Sequence, residues 1–179
     1  MTLPPPPARS RLAGRAPAAQ PSRPSGTQHP LRELAVWGAH GGTGTSTLAT
    51  WLRPARDLGA MRAGPGPGCP ASVAARRALV ITCRNTAWSA ARATAAVAAV
   101  ARQGGHVAVL AVVSDGWPEP ATATARLGLL EASVGAVVRV PFVAGLRLAD
   151  DPAAVTLPPR ALRALAQITA AADPAFPLR

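Results

Sequence analysis

Four stretches of the chain are dominated by apolar residues, and between them the apolar positions recur at helical spacing. ELAVW (33–37), ALVITC (78–83), HVAVLAVVS (106–114) and AVVRVPFV (136–143) read as strands. Near-continuous apolar character, as at 78–83 and 106–114, marks strands covered on both faces. TSTLATWLR (45–53) reads as a helix with Leu48, Trp51 and Leu52 on one side, limited by Pro54. A second, alanine-rich helix is expected over 86–103, ended by Gly104 and Gly105. Further helices are expected over 123–135 and over 157–173, the last with Leu162, Leu165 and Ile168 as its apolar side. Strands alternating with helices predict an α/β fold, a short and mostly parallel sheet of about four strands between two helical layers. In such sheets ligands sit beyond the C-terminal ends of the strands. Those ends are residues 38–44, Arg84 and Asn85, residues 114–117, and Pro141 and Phe142.

Two stretches break the pattern. Residues 1–32 are rich in proline, arginine and serine and read as a disordered tail, because such a segment buries too little surface to offset its ordering entropy. Residues 54–77 contain GAMRAGPGPGCPAS, whose Gly-Pro alternation predicts a long flexible loop. The expected organisation is therefore a tail at 1–32, a domain at 33–150 and a C-terminal helix and tail at 151–179.

Charge follows the same division. The chain carries a formal +11, and lysine is absent. Residues 1–32 hold five arginines and no acid, and residues 53–77 hold five more against Asp57, so the excess sits outside the expected folded part. A basic tail of this kind is either solvated or makes non-specific phosphate contacts with nucleic acid. The aromatic content is 3%, which leaves alanine, valine and leucine to fill the core. Cys69 and Cys83 show no metal-binding spacing, and Cys83 reads as a small core residue. No apolar stretch has the length of a signal peptide or membrane span, so a cytoplasmic protein is expected.

The candidate chemistry lies between the first strand and the first helix, in AHGGTGTST. Its register against the phosphate-binding pattern G-x-x-x-x-G-K-[ST] runs Ala39, His40, Gly41, Gly42, Thr43, Gly44, Thr45, Ser46, with Thr47 adding a further hydroxyl. Gly44 and Ser46 match; Ala39 replaces the first glycine, although Gly38 lies beside it, and Thr45 replaces the lysine. Backbone N–H groups and the start of the helix still favour an anion. Loss of the lysine is expected to weaken phosphate binding by roughly 10- to 100-fold. Ser46 stands where a magnesium-binding hydroxyl belongs. Arg84, at the end of the next strand, is a candidate to reach a bound phosphate. His40 either donates to an anion when protonated or bonds to backbone. Asp115 is the one acid at a strand's C-terminal end, and either holds a metal or shapes the turn that follows. Trp37, Trp88 and Trp117 fall near the same sheet edge and either stack on a base or pack against the loop.

HGGTGTST resembles the deviant Walker loop of ParA/MinD-type ATPases, K-G-G-x-G-K-[ST], matching at Gly41, Gly42, Gly44 and Ser46, with His40 and Thr45 in place of both lysines. The segments ALVITCRNTAWSAARATAAVAAV, VAVLAVVSD and GAVVRVPFVAGLRLADD are similar to later strands and helices of that family, so the resemblance covers about residues 33–150. The chain also resembles an uncharacterised family of small P-loop-like proteins from high-GC actinobacteria. The resemblance implies a three-layer P-loop NTPase-like domain, truncated because the two strands that carry switch aspartates are replaced by 54–77. It implies weak binding of ATP or ADP with Mg2+ at residues 39–47, Arg84 and Asp115, and a scaffold or accessory role without hydrolysis. The alternatives are a DNA-associated partition or transfer accessory protein and, third, a divergent ATPase using Arg84 and Asp115. A protein partner is expected at the sheet edge that the missing strands leave open.

Overall fold

The computed structural model describes residues 33–61, 71–74 and 77–173. The basic tail expected at 1–32, Cys69 and most of the Gly-Pro stretch lie outside these residues. Five strands, β1 (Leu34–Gly38), β2 (Ala55–Ala60), β3 (Ala78–Arg84), β4 (Val109–Val113) and β5 (Ala136–Val140), form one parallel sheet in the order β2-β1-β3-β4-β5. The helices are α1 (Thr45–Trp51), α2 (Ala71–Ala74), α3 (Ala87–Arg102), α4 (Ala121–Leu130) and α5 (Pro159–Ala172). One-turn 3-10 helices stand at Ala144–Arg147 and Pro152–Ala154.

Side chains alternate across the sheet, and both sides are buried. Ala35, Trp37, Leu79, Ile81, Leu110 and Val112 face α3 and α4. Val36, Val80, Val109 and Ala111 point the other way, together with Leu48 of α1 and Leu165 and Ile168 of α5. This two-sided cover is the reason β1, β3 and β4 read as continuous apolar runs. Helix α3 starts where Thr86 accepts a hydrogen bond from the Ser89 N–H and ends at Gly104, whose φ of 72° favours glycine.

Two expectations need correction. The span 54–77 is not wholly a loop, since it carries β2 and the single turn α2. The sheet accordingly has five strands, close to the expected count of about four, the fifth being β2. ARDLGA shows no strand pattern because β2 is an edge strand, with Arg56 and Asp57 exposed. What makes it a strand is pairing to β1, from Leu34 opposite Ala55 to Gly38 opposite Ala60, across an irregularity where Gly59 takes φ 72°. The second correction is Leu162, expected on the apolar side of α5 but 53% exposed. The buried stripe is Ala161, Ala164, Leu165, Ile168 and Ala172, and alanines carry much of it. Among the described residues no helix is long and apolar enough to cross a membrane.

Candidate functional site

After β1 the chain turns toward α1 on one side of the sheet; after β3, its neighbour, it turns toward α3 on the other. The two connections diverge, and a crevice opens where the strand order reverses. The glycine loop and Arg84 stand at this crevice.

The loop is held by close fits at its base. A Cβ on Gly38 would lie 2.5 Å from Thr45 Oγ1, 2.8 Å from Thr43 Oγ1 and 2.9 Å from the His40 carbonyl oxygen. The Met61 N–H donates to the Gly38 carbonyl at 2.7 Å, and the Ala39 N–H donates to the Thr82 carbonyl at 2.9 Å. Gly42 and Gly44 adopt φ of 78° and 82°, a region open to glycine at little cost.

Thr45, in the lysine position, does not reach outward. Its hydroxyl joins a buried cluster with Thr43 and Thr82, the three oxygens 2.8–3.0 Å apart, and Thr43 also donates to the His40 carbonyl. The threonine therefore removes a cation and also fastens the loop to β3. The hydroxyls of Ser46 and Thr47 stay outside the cluster. Among the described residues, the backbone N–H groups of 41–47 donate to no acceptor in the protein. A run of unpaired amides on a glycine loop has the chemistry of a cradle that can accept an anion.

Arg84 Nε donates to the Gly42 carbonyl at 2.9 Å, which sets the guanidinium beside that cradle. His40 is turned elsewhere. Its Nδ1 donates to the Gly41 carbonyl and, in the neutral ring, its Nε2 accepts from the Ser89 hydroxyl, each at 2.6 Å. Ser89 Oγ in turn accepts from the Arg84 N–H at 2.6 Å, and the imidazole meets Trp88 edge-on with ring centroids 4.5 Å apart.

Beside the loop lies a cleft of about 410 Å³, in the range of small-molecule sites. Its walls are mixed, with apolar side chains from Leu48 and Trp51 of α1 to Val113, Val140, Phe142 and Val143 at the strand ends, and Ser114 and Arg147 among the polar ones. The Trp51 N–H is engaged with the Pro152 carbonyl at 2.9 Å, so the ring serves as wall. Of the residues singled out in the sequence, Gly44, Thr47, Arg84 and Asp115 line this cleft together. Gly42, Ser46 and Thr47 border a separate shallow recess with Gly59 and Ala60. Ala39, Thr43 and Thr45 are buried beneath the loop, Gly41 is exposed, and His40 packs on the α3 side. Asp115 shapes the turn, one carboxylate oxygen accepting the Trp117 N–H at 2.9 Å. Asn85, which the sequence places only at a strand end, is buried and braces the same turn, accepting from the Asp115 N–H and donating to the Trp117 carbonyl. Trp37 is buried in the core, whereas Trp88 and Trp117 are exposed. Among the described residues no group of three His, Cys, Asp or Glu side chains converges as a metal site.

Two titrations bear on the surroundings. Burial, with Glu119 adding to it, pushes the Cys83 thiol up to about 12, so it stays protonated and acts as a small core side chain. The Arg139 guanidinium holds the Glu119 carboxyl below its ordinary value, against the opposing effect of burial, and Thr124 adds a second hydrogen bond. A carboxyl whose pKa falls on folding stabilises above its unfolded pKa and loses that contribution as pH drops through the folded value. Glu119→Gln is therefore expected to cost about 0.2–1 kcal/mol at pH 7, the range of exposed ion pairs. Urea denaturation across pH should show the gap between wild type and variant closing as acid protonates Glu119. A gap independent of pH would remove the ion pair as its cause.

No family model matches the chain, and no curated protein matches it. Among solved structures, a GTP-binding protein from the hyperthermophilic archaeon Sulfolobus solfataricus, in complex with GDP, is similar at 11% identity and a TM-score of 0.44. The likeness covers 77% of this chain and 53% of that one, so the chain spans about half the length of that protein.

Proposed function

We propose that this protein binds a nucleoside di- or triphosphate in the cleft beside the glycine loop and does not hydrolyse it, serving as a regulatory or accessory scaffold. The observation that carries this is the run of unpaired N–H groups at 41–47 next to the cleft. Arg84 supplies the cation that position 45 lacks, from a neighbouring strand rather than from the loop. Hydrolysis lacks its parts: position 45 offers a buried hydroxyl, and Asp115 is bound into its turn. A magnesium ion arriving with the nucleotide would meet the Ser46 or Thr47 hydroxyl and would draw its other ligands from phosphate and water.

Calorimetric titration with ADP, ATP, GDP and GTP, with and without Mg2+, tests this on wild type, Gly44→Val and Arg84→Ala. At least one nucleotide should bind wild type, valine at φ 82° should abolish binding, and Arg84→Ala should weaken it by about 10- to 100-fold. Absence of binding by all four would refute the cradle. Phosphate release above background, lost in Arg84→Ala, would refute the absence of hydrolysis.

A further inference from the structure

The cleft has two differently built ends. At one stand the loop amides and Arg84. At the other are Pro141, Phe142, Val143, Leu146 and Arg147, with Asp115 lining the same cleft next to Gly116. β3 and β5 flank β4, so their ends lie two strand spacings apart, roughly 10 Å. That leaves room for a sugar and a ring between phosphate and far wall.

Arg147 is placed there by a chain of contacts. Gly116 has φ 99°, and a Cβ on it would stand 3.4 Å from Phe142 Cγ and 3.5 Å from Cδ1, so the Phe142 ring rests on bare glycine backbone. Over that ring stands the Arg147 guanidinium carbon, 4.8 Å from the centroid. A cation over an aromatic face is held electrostatically. Among the described residues the Arg147 N–H groups have no hydrogen-bond or ion-pair partner. The far end therefore presents a positioned, planar set of donors.

We infer that Arg147 reads the base and selects a 6-oxopurine, guanine or hypoxanthine, over adenine. This rests on the nucleotide reading above. Two N–H groups of a guanidinium fork match two adjacent acceptors, O6 and N7 of a 6-oxopurine. Adenine offers the N7 acceptor beside an amino donor, so one N–H of the fork would face another donor. The preference resides in the 6-position, since N7 is an acceptor in all three purines, and the 2-amino group of guanine contributes nothing to it.

Titration of the full chain with GDP, IDP and ADP tests the inference. GDP and IDP should bind with similar affinity, both about tenfold or more tighter than ADP. Arg147→Ala should bring the GDP-to-ADP affinity ratio to about one. Arg147→Lys should lose most of the preference while keeping the charge, since an ammonium lacks the fork. Equal affinity for GDP and ADP in wild type, or a preference that survives Arg147→Ala, overturns the inference and leaves the phosphate cradle standing. No binding of any of the three overturns both.

Discussion

Ile168→Ala is expected to destabilise the protein by about 2–5 kcal/mol, the cost of deleting a large buried aliphatic side chain. Ile168 is fully buried. It shares a cluster with Val36, Val80, Val109 and Val138 of the sheet and with Leu48 of α1. Its neighbours on the buried stripe of α5 are mostly alanines, which are too short to fill the space that its truncation would open. The surrounding strands are held in register on both sides and have little freedom to collapse inward. The matched control is Leu162→Ala on the same helix, which is exposed and should change stability by less than about 0.5 kcal/mol. Urea midpoints of both variants measure the contrast. Equal losses would mean that α5 does not present the Ile168 side to the sheet.

Gly38→Ala is expected to cost about 3 kcal/mol, at the upper end of overpacking in a close-fitted site. The methyl would meet two hydroxyls and a backbone oxygen, all within 2.9 Å. Both hydroxyls are committed to the Thr43–Thr45–Thr82 cluster, and the oxygen belongs to the loop backbone, so none moves aside without unpairing another group. Relief would require the loop to lift from β3, breaking the arrangement that gathers the amides of 41–47. The same variant should therefore also lose nucleotide binding. Gly41→Ala is the control, since a Cβ there meets nothing within 4 Å, and its denaturation midpoint should match wild type. A Gly38→Ala protein as stable as wild type would show that the cluster is not closed around Gly38.

The two predictions differ in how far the sequence reveals them. Ile168 lies on a helix whose pattern is visible from spacing, although Leu162 was expected on the wrong side of it. Leucines attract attention in a hydrophobic pattern, and Ala161 and Ala164 do not, yet a helix lying close to a sheet is served by small side chains. Gly38 is a different case. Its neighbour Ala39 occupies the motif position, and nothing in the letters shows that Thr43, Thr45 and Thr82 meet above its α-carbon. Thr82 is 37 residues from Thr45 in the chain. The same holds for the Arg84–Gly42 bond, which depends on β3 lying directly beside β1.

The sequence alone determined the parallel α/β architecture, the four apolar runs that form β1, β3, β4 and β5, and the glycine loop between a strand and a helix. These follow from local periodicity and from the backbone freedom of glycine, and both are written along the chain. Tertiary structure alone decided that ARDLGA is a strand, that Thr45 faces inward, and that Arg84, Asp115 and Arg147 border one cleft. Each of these depends on which segments become neighbours, because a strand edge, a hydroxyl or a guanidinium has no fixed role until a partner stands within hydrogen-bonding distance.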